Sequence, residues 1–222
     1  MTSTFVPTLN QSQEASIQEN INGAIDGLLD SLPNPEQLSA EQRRGIIARY
    51  STVLEGNFIY WMTGAFLSVG TEAARSKILE NLHEEVRDSH PHMLRKFEIA
   101  AHAVPTDRDA GAVYRDLTNV RLFIGRLSAV PIVLTMAFFE GFIQRFMPYL
   151  ADLAQRQGSA EMEYTDVHGV CDITHTQELF RALAAEMALN PVEPETNLFE
   201  GVDLLRSLIH TIVHGGQDPN WN

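Results

Sequence analysis

The stretch PIVLTMAFFEGFIQRF, residues 131–146, is apolar almost all the way round a helix and contains a single acid, Glu140. A helix with apolar residues on every face is typical of the centre of a protein, where it packs against other elements on all sides. Helical patterns continue along the chain in both directions, and no alternating β pattern bounded by tight-turn dipeptides competes with them. The sequence therefore predicts an all-α fold, a bundle of about seven helices.

Prolines, glycines and capping residues divide the chain into segments. A break is predicted in RDSHPH, residues 87–92, because Pro91 fits the first turn of a new helix. We expect one domain over residues 1–222, with flexible ends at 1–12 and 215–222. The expected helices, seven or eight in number, cover about 13–31, 39–67, 71–88, 91–104, 109–127, 128–157, 163–189 and 196–213.

Composition limits the classes of partner. A formal net charge of −13 argues against nucleic acid and against an anionic membrane, since both require a basic surface. The amino end lacks the basic and apolar regions of a signal peptide, and no apolar run reaches the length of a transmembrane helix. One cysteine, Cys171, fits a reducing compartment. We expect a cytoplasmic protein that binds neither nucleic acid nor a membrane.

Two acids lie in strongly apolar stretches. Glu140 has no nearby lysine, and an uncompensated buried carboxylate costs several kcal/mol. Glu55 repeats the pattern in YSTVLEGNFIYWMTGAF, residues 50–66, where Phe58, Ile59 and Met62 lie on the same side of a helix. A bound cation is the predicted partner of both acids. For Glu55, an arginine, backbone groups or a position at the helix surface are alternatives.

The octapeptide HGVCDITH, residues 168–175, contains the most specific chemical pattern. His168, Asp172 and His175 stand at i, i+4 and i+7, which places them on one face of a helix. Imidazole and carboxylate groups that project together into a bundle bind zinc, manganese or iron. A hydrogen-bonded interior network is the alternative. The strip is expected to border the core because apolar residues lie beside it: Ile173, Phe180, Leu183 and Met187.

A third segment, ENLHEEVRDSHPHMLRKF, residues 80–97, offers more candidates than periodicity can separate. They are Glu80, His83, Glu85, His90 and His92. Glu85 and His90 are five residues apart and would not share a face of a straight helix. The predicted break at residues 88–91 would remove that objection.

The residues around Glu55, Glu85, His90 and Glu140, together with HGVCDITH, resemble the haem-oxygenase-like diiron oxidases and oxygenases, a family that includes an alkene-forming fatty-acid decarboxylase and a para-aminobenzoate-forming oxygenase. The resemblance covers about 120 residues and implies a haem-oxygenase-like bundle that holds two ferrous ions, with O2 as cosubstrate. It favours Glu85 and His90 in the third segment, although their interval is short for the family. The implied metal ligands are Glu55, Glu85, His90, Glu140, His168, Asp172 and His175. Their four carboxylates sum to −4, which two ferrous ions would neutralise.

The resemblance also implies a small-molecule substrate. We expect an amino acid or amine that undergoes N-oxygenation or oxidative carbon–carbon cleavage. Oxidative decarboxylation of a fatty acid is the alternative within the family, and a non-catalytic metal- or ligand-binding helical protein is the alternative outside it. An external electron donor and a homodimer are left open as partners.

Two other patterns receive less weight. Cys171 could act as a nucleophile in a thiaminase-like enzyme, but a small buried thiol is the more common role of a lone cysteine. Arg206, His210 and His214 form a strip opposite an apolar helix face, so the strip is expected to face solvent.

Overall fold

The protein was analysed as a computed structural model, which describes residues 11–191 and 195–215. Within these ranges the secondary structure is all α-helical, which confirms the predicted fold class. The expected flexible ends lie outside the described residues except for 11, 12 and 215, so they remain a prediction. The nine helices described are α1 (Gln11–Asp30), α2 (Ala40–Leu54), α3 (Asn57–Ser68), α4 (Glu72–Arg87), α5 (His90–Ala100), α6 (Asp107–Ile124), α7 (Ala129–Arg156), α8 (Glu163–Leu189) and α9 (Glu200–His214).

Helix α7 forms the centre of the bundle. Every residue from 130 to 143 is buried, as the apolar pattern predicts. The expectation that no apolar run reaches the length of a transmembrane helix was wrong for α7, which alone among the described helices is long and apolar enough to cross a membrane. However, 89% of its most apolar 18-residue window is buried inside the protein. Its most extensive packing partner is α8. The apolar run is therefore explained by its place in the core.

The single long helix expected over residues 39–67 is divided in two. Helix α2 ends at Leu54, and Gly56 adopts a left-handed conformation with φ 78° before α3 begins. Glycine reaches this conformation without the steric cost that a side chain imposes. The prediction of one continuous helix was wrong, and this extra break raises the number of helices above the seven or eight expected.

The predicted break between α4 and α5 is confirmed. Ser89 adopts a left-handed conformation with φ 60° and ψ 38°, and α5 then begins at His90 with Pro91 in its first turn. Proline is tolerated there because the first-turn amides have no partner within the helix. The two segments therefore meet at an angle that a continuous helix could not provide.

The exposed strip on α9 also agrees with the sequence. Arg206 and His210 are exposed, while Leu205, Leu208 and Ile209 are buried; His214, the last residue of the predicted strip, is only half-exposed. On α8, by contrast, Ile173 is exposed, although it was expected to flank the histidine strip on its core side. The apolar side of α8 is instead formed by residues nearer its carboxyl end.

A buried acid on α8 fixes the start of α4. The carboxylate of Glu186 is fully buried and accepts hydrogen bonds from the backbone N–H of Gly70 and of Thr71, and from the Thr71 hydroxyl at 2.6 Å. An anion at a helix amino terminus is stabilised by unpaired amides and by the helix dipole. Glu186 therefore holds α4 in register with α8, which matters for the site described below.

Replacing Glu186 should destabilise the protein. We expect Glu186→Ala to lower the free energy of unfolding by about 2–3 kcal/mol, because two partly buried backbone amides and the Thr71 hydroxyl lose their charged acceptor. Urea unfolding of the metal-free chain measures the change. Glu163→Ala, in the exposed first turn of the same helix, is the control and should change the free energy by less than about 0.5 kcal/mol. Equal losses for both variants would contradict the anchoring role.

Candidate metal centre

Six of the seven predicted ligands come together in the interior. They originate from four helices: Glu85 from α4, His90 from α5, Glu140 from α7, and His168, Asp172 and His175 from α8. Each has an exposed fraction of 5% or less. All but His175 line a single cavity. The packing of α7 against α8 and the break before α5 are what bring these side chains together.

Glu85, His90 and His168 form one group of possible ligands. The Nδ1 atom of His90 lies 2.7 Å from Oε1 of Glu85, and Nε2 of His168 lies 3.9 Å from the same oxygen. The two imidazole rings are 4.5 Å apart between centroids. The Nδ1–H of His168 donates to the carbonyl of Tyr164 at 2.8 Å, so Nε2 is left facing Glu85.

Asp172 and His175 form a second group, beside Glu140. The Nδ1 atom of His175 lies 3.6 Å from Oδ1 of Asp172 and 3.8 Å from Oε1 of Glu140. These separations are longer than a hydrogen bond. The three side chains therefore converge on a common space without satisfying one another.

Two buried atoms in this second group have no hydrogen-bond partner in the described chain and could bind a cation. Oδ2 of Asp172 and Nδ1 of His175 are fully buried and have no hydrogen-bond partner among the described residues. In the part of the chain that the structure describes, no lysine or arginine forms an ion pair with Glu85, Glu140 or Asp172. Buried carboxylates and imidazoles without partners are suitable ligands for a divalent metal ion. The donor set therefore fits iron.

Three further residues hold the ligands in place, and the sequence analysis did not identify them. Nε2 of His175 contacts Oε2 of Glu84 at 2.8 Å, and the amide of Asn81 donates to Oε1 of Glu140 at 2.7 Å. Tyr164 contributes the carbonyl that orients His168. A metal-binding histidine usually donates its second N–H to a carboxylate or carbonyl. That rule could have signalled that such partners exist, but their identity depends on how α4 packs against α8.

The structure separates the candidates in the third segment. Glu85 and His90 are buried and in contact, whereas Glu80, His83 and His92 are exposed. Five residues on a continuous helix are separated by about 140° of rotation, so the contact depends on the break at Ser89. The geometry supports the pair that the family pattern favours.

Glu55 is the predicted ligand that the structure does not bring into the cluster. Its side chain is exposed at the carboxyl end of α2, so the expectation that it lies within an apolar helix was wrong. The neighbouring side chains of Leu54 and Phe58 line the same cavity as the clustered ligands. The metal-binding role of Glu55 remains a prediction.

Cys171 is half-buried and bonded to the cluster. Its thiol donates to Oδ1 of Asp172 at 3.1 Å. Burial raises the pKa of the thiol, and the charge of Asp172 raises it further. A thiol with a raised pKa is a poor nucleophile near neutral pH. This environment argues against the thiaminase-like alternative.

In the metal-free protein, the protonation of Glu140 and His175 depends on the acidic side chains packed around them. Burial raises the pKa of Glu140 well above its usual value, and the charge of Asp172 adds to the shift. Burial lowers the pKa of His175, but Asp172, Glu140 and Glu84 outweigh it and raise that pKa to about 10. His175 is therefore protonated near neutral pH when no metal is bound, and a metal ion must displace that proton.

The rest of the cavity wall is apolar. The cavity is narrow, with about 30 Å³ available to the centres of water molecules. The hydroxyl of Tyr164 is bonded to that of Tyr50 at 2.7 Å, so the tyrosine presents mainly its ring. The remaining lining side chains are Leu54, Phe58, Ile59, Pro91, Leu94, Phe139 and Ile143.

An all-α bundle with carboxylate and imidazole groups gathered beside one cavity is an arrangement that could hold metal ions. A family model described as iron-containing redox enzyme matches residues 48–205, a range that includes every predicted ligand. The chain belongs to this family, which includes the haem-oxygenase-like diiron oxidases, and the resemblance stated from the sequence is confirmed. No curated protein and no solved structure matches the chain significantly.

Glu84 should influence metal binding through His175. We expect Glu84→Ala to weaken ferrous affinity by about 10- to 100-fold, since His175 loses the partner that orients its ring. Competition titration with a ferrous chelator under anaerobic conditions measures the affinity. Glu84→Gln, which retains an acceptor oxygen, should lie between wild type and Glu84→Ala. Glu80→Ala, one turn earlier on the exposed side of α4, should bind iron like wild type; a similar loss there would exclude a specific role for Glu84.

Ferrous affinity should rise with pH. His175 holds a proton up to a pKa of about 10 in the metal-free protein, so metal binding releases it. Each proton displaced should strengthen apparent binding by about tenfold per pH unit between about pH 6 and 8. Anaerobic titrations at three pH values give the slope. In His175→Ala the slope should decrease, whereas a flat profile in wild type would contradict the assignment.

Proposed function

We propose that this protein is an O2-dependent non-haem diiron oxidase or oxygenase. The observation that carries the proposal is the pair of possible ligand groups, Glu85 with two histidines and Asp172 with His175 and the half-buried Cys171, in a chain of an iron-containing redox enzyme family. Glu140 lies beside the second group. Two ligand groups, both with members that line one cavity, support two metal ions, with Glu55 as a further proposed ligand.

When bound, the two ferrous ions would supply the electrons for the reduction of O2 that drives oxidation of the substrate. The protein residues position the metal ligands and separate the metal site from bulk water. Glu84, Asn81 and the Tyr164 carbonyl each fix one ligand by a hydrogen bond of 2.8 Å or less. The apolar wall limits the access of bulk water, which strengthens electrostatic interactions inside the cavity.

The proposed substrate is a small amino acid or amine, and the reaction is N-oxygenation or oxidative carbon–carbon cleavage. The narrow cavity supports a small substrate. Insertion of one oxygen atom from O2 into an amine produces water from the second atom and requires two additional electrons. N-oxygenation would therefore need the external electron donor that the sequence analysis left open.

The lining of the cavity favours a second candidate, oxidative decarboxylation of a fatty acid. No lysine or arginine lines this cavity among the described residues, so the carboxylate of an amino acid would have no basic side-chain partner there. Metal ions can bind the carboxylate of either substrate, but a fatty acid adds a chain that suits the apolar side chains of Phe58, Leu94 and Phe139. Measuring O2 consumption with amines, amino acids and fatty acids separates the two candidates.

Iron stoichiometry tests the diiron proposal. Anaerobic titration should show two ferrous ions bound per chain, and exposure to O2 with a substrate should then consume O2. Binding of fewer than two ions per chain, or absence of O2 consumption across the substrate panel, would falsify the diiron oxygenase and favour the non-catalytic alternative.

A matched pair of histidines on α5 tests the ligand set. We expect His90→Ala to lose at least one of the two bound ions, because His90 is buried against Glu85, and His92→Ala to retain both, because His92 is exposed. Metal content after gel filtration is the measurement. Loss of iron in His92→Ala, with retention in His90→Ala, would reverse the assignment. Glu55→Ala, measured in the same way, decides whether Glu55 is a ligand.

A further inference from the structure

A second cavity shares no lining residue with the metal centre's cavity and is much larger. Its volume is about 430 Å³. The wall is formed by the first turns of α2 and α6 and by the carboxyl end of α9. Three arginines line it: Arg44, Arg49 and Arg108. A concentration of positive charge is unusual in a chain whose net charge is −13.

Arg49 is the central feature of this cavity, because it is a buried cation with an unused donor group. Its exposed fraction is 5%. Nε donates to the carbonyl of Ile212 at 2.7 Å, and Nη2 donates to the carbonyl of Val213 at 3.4 Å. Among the described residues, Nη1 has no hydrogen-bond partner. A buried guanidinium group without an anionic partner is costly unless a ligand or solvent supplies one.

Gly45 creates the space that Nη1 occupies. A Cβ atom at this position would lie 2.8 Å from Nη1, too close for the present arrangement. Gly45 and Arg49 are one turn apart on α2, and both line the cavity. The guanidinium group therefore lies against bare backbone and presents Nη1 beside open space.

The acids of the cavity leave an excess of positive charge around Arg49 and Arg108. The carboxylate of Asp109 is paired with both terminal nitrogens of Arg44, at 3.0 and 3.1 Å. Glu41, the other acid in the wall, is exposed. Burial lowers the pKa of Arg49 to about 10; the charge of Asp109 opposes this shift, and the charges of Arg44 and Arg108 add to it. This environment would be stabilised by a bound anion.

We propose that this cavity binds a small molecule through an oxyanion, a phosphate or a carboxylate group, held by Arg49 and Arg108. Guanidinium groups form strong, directional hydrogen bonds with both kinds of oxyanion. The apolar part of the wall, which includes Leu38, Ile46 and Val213, would contact the remainder of the ligand. The site is separate from the metal centre and does not depend on the proposed oxygenase activity.

Calorimetric titration of the full, metal-free chain at constant ionic strength tests this site. Omitting iron prevents phosphate from binding at the metal centre. Inorganic phosphate and succinate serve as the two probes, and saturable binding of either supports the proposal. The stronger probe identifies whether phosphate or carboxylate is the preferred group.

Two arginines on α6 provide matched variants. Arg108 lines the cavity, whereas Arg115 has a side chain that is 87% exposed and lies outside it. We expect Arg108→Gln to weaken binding of the stronger probe by at least about fivefold, as for the loss of one charge-assisted hydrogen bond. Arg115→Gln makes the same change in net charge and should leave affinity within about twofold of wild type, since screened surface charges contribute little.

Three results would overturn the proposal. The first is the absence of saturable binding of both probes to wild type. The second is equal weakening by Arg108→Gln and Arg115→Gln, which would indicate a general charge effect. The third is unchanged affinity in Gly45→Ala, because a methyl group at that position must displace Nη1 of Arg49. Thermal unfolding of each variant confirms that a loss of binding does not reflect a loss of folding.

Discussion

The structure depends on the balance of charge around three buried carboxylates. Glu85, Glu140 and Asp172 lie in the interior without lysine or arginine partners among the described residues. The groups that approach them are histidines, the amide of Asn81 and the thiol of Cys171. Such a buried carboxylate either takes up protons or binds a cation. In the metal-free protein the raised pKa values of Glu140 and His175 show the first response. Metal ions would replace protons in that role, so metal binding and stability of this core are linked.

Placement of the ligands depends on contacts between helices more than on any single helix. Glu186 on α8 holds the amino end of α4, and Glu84 on α4 contacts His175 on α8. Both contacts join α4 to α8, one at the N-cap of α4 and the other near its carboxyl end. Together they determine the register of α4 against α8. Asn81, which lies between them, thereby reaches Glu140, and Glu85, which follows Glu84, reaches His90.

The sequence predicts those features that depend on local pattern. The bounds of α8 agree with the expected 163–189, and the spacing in HGVCDITH places His168, Asp172 and His175 on one buried face. The break before His90 follows from Pro91. The break at Gly56 was missed because the apolar pattern continues through it, and Glu55 was misplaced with it. Glu84 and Asn81 were missed because their roles depend on packing between helices distant in sequence.

Ser89 shows how stability and activity can oppose each other in this fold. A residue other than glycine in a left-handed conformation costs about 1 kcal/mol or more. Standard protein engineering would remove that cost by placing strong helix-forming residues at the junction of α4 and α5. The joined helix would separate Glu85 and His90 by about 140° of rotation. Selection for thermal stability alone would therefore favour variants at this junction that fold well and bind metal poorly.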